Sequence, residues 1–525
     1  MNTSSRSGRK GALAGILGLL AVGFGYSAAK AQVVDVIGNI LPSDFTSLIA
    51  PNSYKDWGNE PFIAVNPLNV NQIVISSFGY GATKTTQPGA AISYSQDGGV
   101  TWGLRAPVTS PVAGFQTPED WNFAYDGLGR LHGVSLVGNL SGGTDIYHGM
   151  TTDPNNDNFH GRPVGDWAWT PGAINHVGAG NGDQPFMSIT GSHIYVGYDN
   201  FTAGVEQRVT RSDDFGATFT VGNDLAISRG GPLGSFTNPG TRIATDGNGN
   251  AYSIFGVGTA QPDTGLQTVT YRLNSYNIGT SGASWDHTND TANPGGIVID
   301  SGNSHQIDAG ATTWFGGINE LRGNVTTIAS DKAGNHIYTV YGKVDGSGVD
   351  RLYIREFHPG GGTLVGSAPV LFSIVGQRAA LPSVTVTDNG TIAVEYDSYI
   401  GPRGDPLALG GTFQMHLATS TDGGLTFSDS VLYSWTAPAA PNDNNYGGNR
   451  ELGDYQFVTS VGDNIYGTFA ARGNVNSGGV NSTALIDPFF FTRNLSTSVP
   501  EPGTLAMIGG MGVFGGMFIV RRRRK

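Results

Sequence analysis

The chain has 525 residues, a formal net charge of −12 and no cysteine, so no disulfide scaffold and no cysteine-based metal or redox site can form. Glycine accounts for 81 residues, roughly twice average usage, yet no Gly-X-Y period runs through the chain, which excludes collagen, and the scarcity of Glu, Lys and Leu excludes a coiled coil. Only 13% of residues are charged, but 38% are hydrophobic and 10% aromatic, enough to core either two to four ordinary domains or one large all-β domain.

Residues 1–31 carry Arg6, Arg9 and Lys10, then an apolar stretch from Gly11 to Gly23, then Ala29-Lys30-Ala31. That order is the basic, apolar and cleavage region of a secretory signal. Beyond it a unit recurs: an apolar strand, a tight polar turn, and a second apolar or aromatic strand. The copies pair Pro61–Val65 with Ile73–Ser76, Trp121–Tyr125 with Leu131–Leu136, Pro185–Ile189 with Ile194–Tyr198, and Arg242–Thr245 with Ala251–Phe255. Three more pair Val325–Ser330 with Ile337–Tyr341, Ser383–Thr387 with Ile392–Tyr396, and Tyr455–Val461 with Ile465–Phe469. The turns open at Asn66, Asp126, Thr190, Asp246, Asp331, Asp388 and Gly462, and their Asp-Gly and Asn-Gly pairs supply the positive φ of tight hairpins. The spacing leaves room for four strands per unit. Radial stacking of such units is a β-propeller, here over residues 32–498. Seven units predict seven blades, or six if one unit is an insertion. Closure is expected from Ala484–Phe491 pairing with Val33–Ile37.

Three segments share a tighter pattern, Ser-X-Asp-X-Gly-X-Thr-aromatic. They carry Ser95, Asp97, Gly99, Thr101 and Trp102; Ser212, Asp214, Gly216, Thr218 and Phe219; and Ser420, Asp422, Gly424, Thr426 and Phe427. Each follows a strand by about one hairpin. The pattern resembles the Asp-box, or BNR repeat, of sialidase-like propellers. The resemblance extends over residues 50–495 and implies that the box is structural: Ser and Asp bond the turn backbone, and the aromatic ring fills the gap between sheets. It also implies an active site of three arginines, a Tyr–Glu nucleophile and an Asp acid/base. Where that family places its first arginine, this chain has Asn59-Glu60-Pro61-Phe62, which argues against sialic acid cleavage.

Residues just ahead of the inner strands are expected to ring the channel mouth. Glu119, Asp120 and Asp183 are the catalytic candidates, and Glu60, Arg242, Arg322, Glu451 and Asp454 are the ligand-rim candidates. Arg378 and Arg450 lie close to this ring in sequence, and Glu395 with Tyr396 ends a second strand. Paired carboxylates on such a rim could hydrolyse a glycoside or bind Ca²⁺ through several oxygens; a solvated acidic rim with internal ion pairs would do neither. None of the ten histidines forms a His-X₃-His pair, so spacing gives no support to a zinc site. No Gly-X-Ser-X-Gly elbow in a strand–turn–helix setting and no phosphate loop are present.

The C-terminus reads Pro500-Glu501-Pro502, an apolar stretch from Gly503 to Val520, and five basic residues from Arg521 to Lys525. The apolar stretch is just long enough to cross a bilayer, with the basic cluster on the cytoplasmic side. Over residues 499–525 this closely resembles the PEP-CTERM sorting signal of exopolysaccharide-producing Gram-negative bacteria. The resemblance implies an exosortase as partner, a transient inner-membrane intermediate through 503–520, and delivery to the cell surface or extracellular matrix. Without the four basic residues of the signal, and the five basic residues and Glu501 of the tail, the core holds 20 basic against 40 acidic residues, a net of −20. Such a surface repels nucleic acid and anionic membranes. The expectation is an exported propeller that binds glycan or surface partners; the alternative is an exo-acting glycoside hydrolase using the rim carboxylates.

Overall fold

The structure, a computed structural model, describes residues 35–39, 60–77, 91–105, 108, 110–112, 118–138, 143–151, 167–175, 182–200, 206–220, 225–226, 235–236, 241–259, 266–279, 285–286, 295–305, 325–366, 368–374, 376–401, 411–436, 452–472 and 486–495. The secretory signal, the sorting segment with its expected membrane helix, Arg322, Arg450 and Glu451 lie outside the described residues. Among the described residues no helix is long and apolar enough to cross a membrane.

Seven antiparallel sheets follow one another along the chain, which makes the molecule an all-β, seven-blade propeller. Their inner strands are Phe62–Val65, Glu119–Tyr125, Gly182–Thr190, Arg242–Thr245, Thr326–Ser330, Arg378–Val386 and Phe457–Val461, for blades 1 to 7. Each runs into its second strand through the turn that the sequence marks. Asp126 shows why these residues turn the chain: its Oδ1 accepts the N–H groups of Leu128 and Arg130, each at 2.9 Å. Asp246 does the same for Asn248 and Asn250.

The core consists of seven hydrophobic clusters, one between each pair of adjacent blades. Ala64, Val74 and Ile92 meet Trp121, Phe123 and Leu131 between blades 1 and 2. Ile63, Ile73 and Ile75 meet Tyr466 and Phe490 between blades 1 and 7. The ring is closed by the N-terminal strand Asp35–Asn39, the fourth strand of blade 7, which pairs with Ile486–Asn494 in the register Ile37 to Phe491.

The three Ser-X-Asp-X-Gly turns lie between the third and fourth strands of blades 1, 3 and 6 and share one geometry. In blade 1, Ser95 Oγ donates to Asp97 and accepts the Gly99 N–H, both at 2.8 Å. Asp97 in turn accepts the Thr101 N–H at 2.8 Å and the Thr101 hydroxyl at 2.6 Å. Blades 3 and 6 repeat these bonds. The Thr426 hydroxyl and N–H, with Ser420, lower the Asp422 carboxyl to about 2, so it is ionised and held by its own turn. Each turn glycine packs on the third strand of the preceding blade: Gly99 on Phe490, Gly216 on His148 and Gly424 on Ile354. The turn aromatics follow, with Trp102 at 5.3 Å from Phe490 and Phe219 at 5.1 Å from His148 between ring centroids.

Two glycines separate backbone strain from packing. Gly390 has φ +82 and open space at its Cβ, whereas Gly216 has φ +80 and a Cβ position 2.2 Å from the His148 ring. Gly390→Ala is expected to cost about 1–2 kcal/mol for its left-handed backbone alone. Gly216→Ala adds roughly 1–3 kcal/mol of overpacking. Equal losses in chemical denaturation would show that the turn does not lock blade 2 to blade 3.

Candidate functional site

The residues ahead of the inner strands collect at one end of the axis, the end away from the Ser-X-Asp turns. In blades 2, 3 and 6 a β-bulge shapes this end of the inner strand. The ladder breaks between Glu119 and Asn122, Asp183 and Phe186, and Ala380 and Ser383. At those breaks Asp120, Gln184 and Leu381 adopt φ of 54, 47 and 50°, and Glu60 takes 49° at the start of blade 1. These are four of the five non-glycine residues with positive φ among the described residues, so left-handed strain concentrates at the mouth. A bulge re-aims side chains that a regular strand would send to its two faces.

Five blades contribute to the resulting cluster. The Asp454 N–H of blade 7 donates to Glu60 Oε1 of blade 1 at 2.9 Å. The Tyr455 hydroxyl donates to Asp120 of blade 2, and the Gln184 amide of blade 3 donates to Asp454. Asp183 Oδ1 accepts the Gln184 N–H at 2.9 Å. Arg242 of blade 4 stacks its guanidinium over Phe186 at 4.8 Å and Tyr455 at 5.4 Å. One step further in, Phe62, Phe186 and Phe457 meet around the axis, with centroids 3.9 to 5.6 Å apart.

This is not the open, solvated rim that the sequence suggests. Glu60, Asp120, Gln184, Arg242 and Asp454 are each 5% exposed or less; Asp183 and Glu119 are half-buried. The two-residue bulge and the cross-axis bonds draw the side chains inward over the phenylalanines. Burial, followed by the like charges of Glu60 and Asp183, holds the Asp120 carboxyl well above its ordinary value; the Tyr455 hydrogen bond opposes this in part. Burial and then Asp120 push the Tyr455 phenol up, so it remains a donor. Arg242 Nη2 is buried with no hydrogen-bond partner among the described residues. Among the described residues the axial acids do not bring three donor atoms within 4.8 Å of one another.

Of the sequence candidates, Glu60, Asp120, Asp183, Arg242 and Asp454 come together. Gln184 and Tyr455 belong to the cluster and were not singled out, although each adjoins a candidate acid in the chain. Arg378 turns to the neighbouring blade and pairs with Asp350 at 3.2 Å. Glu395 is fully buried between blades 6 and 7, against Gly467, with Asp397 two residues along the same strand. Neither carboxyl has a hydrogen-bond partner among the described residues. Burial raises both well above their ordinary values.

Residues 498–524 match the PEP-CTERM protein-sorting motif, which marks an exported, exosortase-processed protein of the cell envelope. No curated protein matches the sequence. Similar solved structures include an α-L-arabinofuranosidase of Fusarium graminearum in complex with an iminosugar inhibitor, at 12% identity over 77% of this chain and 98% of that one, TM-score 0.41. Polysaccharide lyase Uly1 is 10% identical over 81% of this chain and 88% of its own, TM-score 0.45. The native arabinanase of Bacillus subtilis is 14% identical over 59% and 98%, TM-score 0.34. Likeness at this level assigns no activity to this chain.

Two predictions follow from the charges. Burial raises the Glu395 and Asp397 carboxyls above the 4.5 and 3.8 of the unfolded chain, so their contribution to stability is complete below those values and is lost as pH rises from them toward the raised folded values. The thermal midpoint is expected to fall from pH 5 to 8, with a shallower slope in the Glu395→Gln/Asp397→Asn variant; an unchanged slope would refute the assignment. Arg242→Met leaves the axial acids without this counter-charge and is expected to cost about 3–5 kcal/mol at pH 8. Part of that loss should return as the pH is lowered and the negative charge at the mouth declines. A deficit that does not change with pH would mean that Arg242 is not their counter-ion.

Proposed function

We propose that this protein is an exported envelope propeller that binds a neutral glycan at its axial mouth. The observation that carries this reading is the convergence of Glu60, Asp120, Asp183, Gln184, Arg242, Asp454 and Tyr455 from five blades, with Glu60, Asp120 and Gln184 on left-handed backbone. Strain of this kind gathers where a surface is shaped for a ligand. Carboxylates and a carboxamide accept from sugar hydroxyls, and Arg242 Nη2 is a donor in need of an acceptor. The excess of acids disfavours an anionic sugar. Sorting to the envelope would bring the propeller to surface polysaccharide.

A second reading, glycoside hydrolysis, is favoured by Asp120 alone. A carboxyl that burial and neighbouring acids hold well above its ordinary value is what a general acid requires. Both readings meet in one experiment: retention of the full chain on a panel of neutral, amino and acidic polysaccharides, with released reducing ends measured in parallel. Binding to neutral glycan, weakened at least tenfold by Arg242→Met and without sugar release, is the expected result. Release abolished by Asp120→Asn would make the protein a hydrolase. Retention unaffected by Arg242→Met would move the binding site away from the axis.

A further inference from the structure

The hairpin of blade 5 assembles a cluster that histidine spacing conceals. Its second strand, Ile337–Val344, pairs with its third, Asp350–His358, in the register Ile337 to Phe357 and Tyr338 to Glu356. His336 and His358 therefore stand opposite each other one step beyond the ladder, on the face that carries Glu356. The Asp331 carboxylate fixes the turn by accepting the His336 N–H at 3.0 Å. One oxygen, Glu356 Oε1, receives both rings: His336 Nδ1 at 2.5 Å and His358 Nε2 at 2.8 Å. The rings are nearly perpendicular, with centroids 4.9 Å apart. The three donor atoms lie within 4.8 Å of one another, which no other His, Asp and Glu set among the described residues achieves. The imidazoles are 44% and 42% exposed and the Glu356 side chain 14%, so an ion has a route in.

We propose that His336, Glu356 and His358 bind one divalent transition-metal ion of the zinc class. Zinc holds imidazole nitrogen and carboxylate oxygen at about 2.0–2.2 Å, which sets tetrahedral donor atoms about 3.3 Å apart. The cluster reaches that spacing by opening each contact by less than about 1 Å. The ion takes the place of the two ring protons that point at Glu356. Each imidazole coordinates as a neutral ring, with its remaining proton on the other nitrogen. Three protein ligands leave a fourth position for water or an outside donor. Two nitrogen donors exclude calcium and magnesium, which take oxygen shells.

An independent comparison within the chain gives the ion a role. Ser95, Ser212 and Ser420, which tie the turns of blades 1, 3 and 6, pair with Ile73, Ile194 and Ile392. The equivalent pair in blade 5 is Phe357 and Ile337. Its turn reads Phe357-His358-Pro359-Gly360-Gly361-Gly362-Thr363-Leu364. The glycine and threonine positions survive as Gly361 and Thr363, but no serine or aspartate is there to tie the turn. The metal would fasten the end of the third strand to the first turn, at the corner where the other three blades use Ser and Asp.

The test uses the full chain in detergent, purified without a histidine tag and stripped with a chelator. Titration with Zn²⁺ against a chromophoric chelator is expected to show one equivalent bound, with the visible bands of a tetrahedral site when Co²⁺ replaces it. His336→Ala and His358→Ala should each lose that equivalent, Glu356→Gln should weaken it at least tenfold, and Asp97→Asn should keep it. Zn²⁺ should raise the thermal midpoint of the unaltered chain and not of the histidine variants. Excess Ca²⁺ should not displace the ion. No bound equivalent in the unaltered chain, or full stoichiometry in both histidine variants with native circular dichroism, overturns the proposal.

Discussion

A ring of sheets buries its apolar faces only if every sheet has two neighbours, so six interfaces depend on the seventh. Here the chain closes that interface with its own beginning: Asp35–Asn39 completes blade 7 beside Ile486–Asn494. The cluster of Ile63, Ile73 and Ile75 with Tyr466 and Phe490 then forms between the first and last blades. Closure also fixes where the first and last strands of the propeller meet. Asp35 pairs with Arg493, so both ends leave blade 7 at one corner, on the face of the Ser-X-Asp turns. The axial cluster opens at the opposite end. The fold thus separates the corner where its first and last strands meet from the axial mouth.

That separation bears on the axial charges. Buried acids facing one arginine do not serve stability, since each ion removed from water costs several kcal/mol before any pairing. The propeller accommodates them because its stability resides in seven apolar interfaces around the axis. The raised proton affinity of the Asp120 carboxyl and the cross-axis bonds from Tyr455 and Gln184 lower the remaining cost. Four positive-φ residues at the same place add backbone strain that packing alone does not call for.

Much of this architecture is legible in the sequence because its determinants are local. Asp126 and Asp246 turn the chain through bonds to residues two and four positions ahead, and a reader of Asp-Gly pairs finds them. Apolar alternation locates the strands beside them. The mouth is legible only in part. Proximity to an inner strand selects Glu60, Asp120, Asp183, Arg242 and Asp454, but not which neighbouring side chains a bulge turns toward the axis. Gln184 is brought in by that local distortion, Tyr455 by its bond to Asp120 across the axis, and Arg378 is drawn off by Asp350 of another blade. The burial of Glu395 and Asp397 needs the packing of two blades, which no local pattern encodes.

Charge count and ion binding part company in this protein. A core of net −20 suggests cations held by carboxylates. The acids are nevertheless engaged elsewhere: Asp97, Asp214 and Asp422 by their own turns, Glu60 and Asp454 by bonds across the axis. What an ion requires is convergence of donor atoms, and strand register supplies it with a single acid and two histidines distant in sequence. His336 and His358 flank a hairpin whose ladder runs from Ile337 to Phe357, so pairing the strands first and scanning for ligands second would have found them. In a propeller, where hairpins are the repeating unit, cross-strand spacing is a better guide to metal-ligand sets than spacing along the chain.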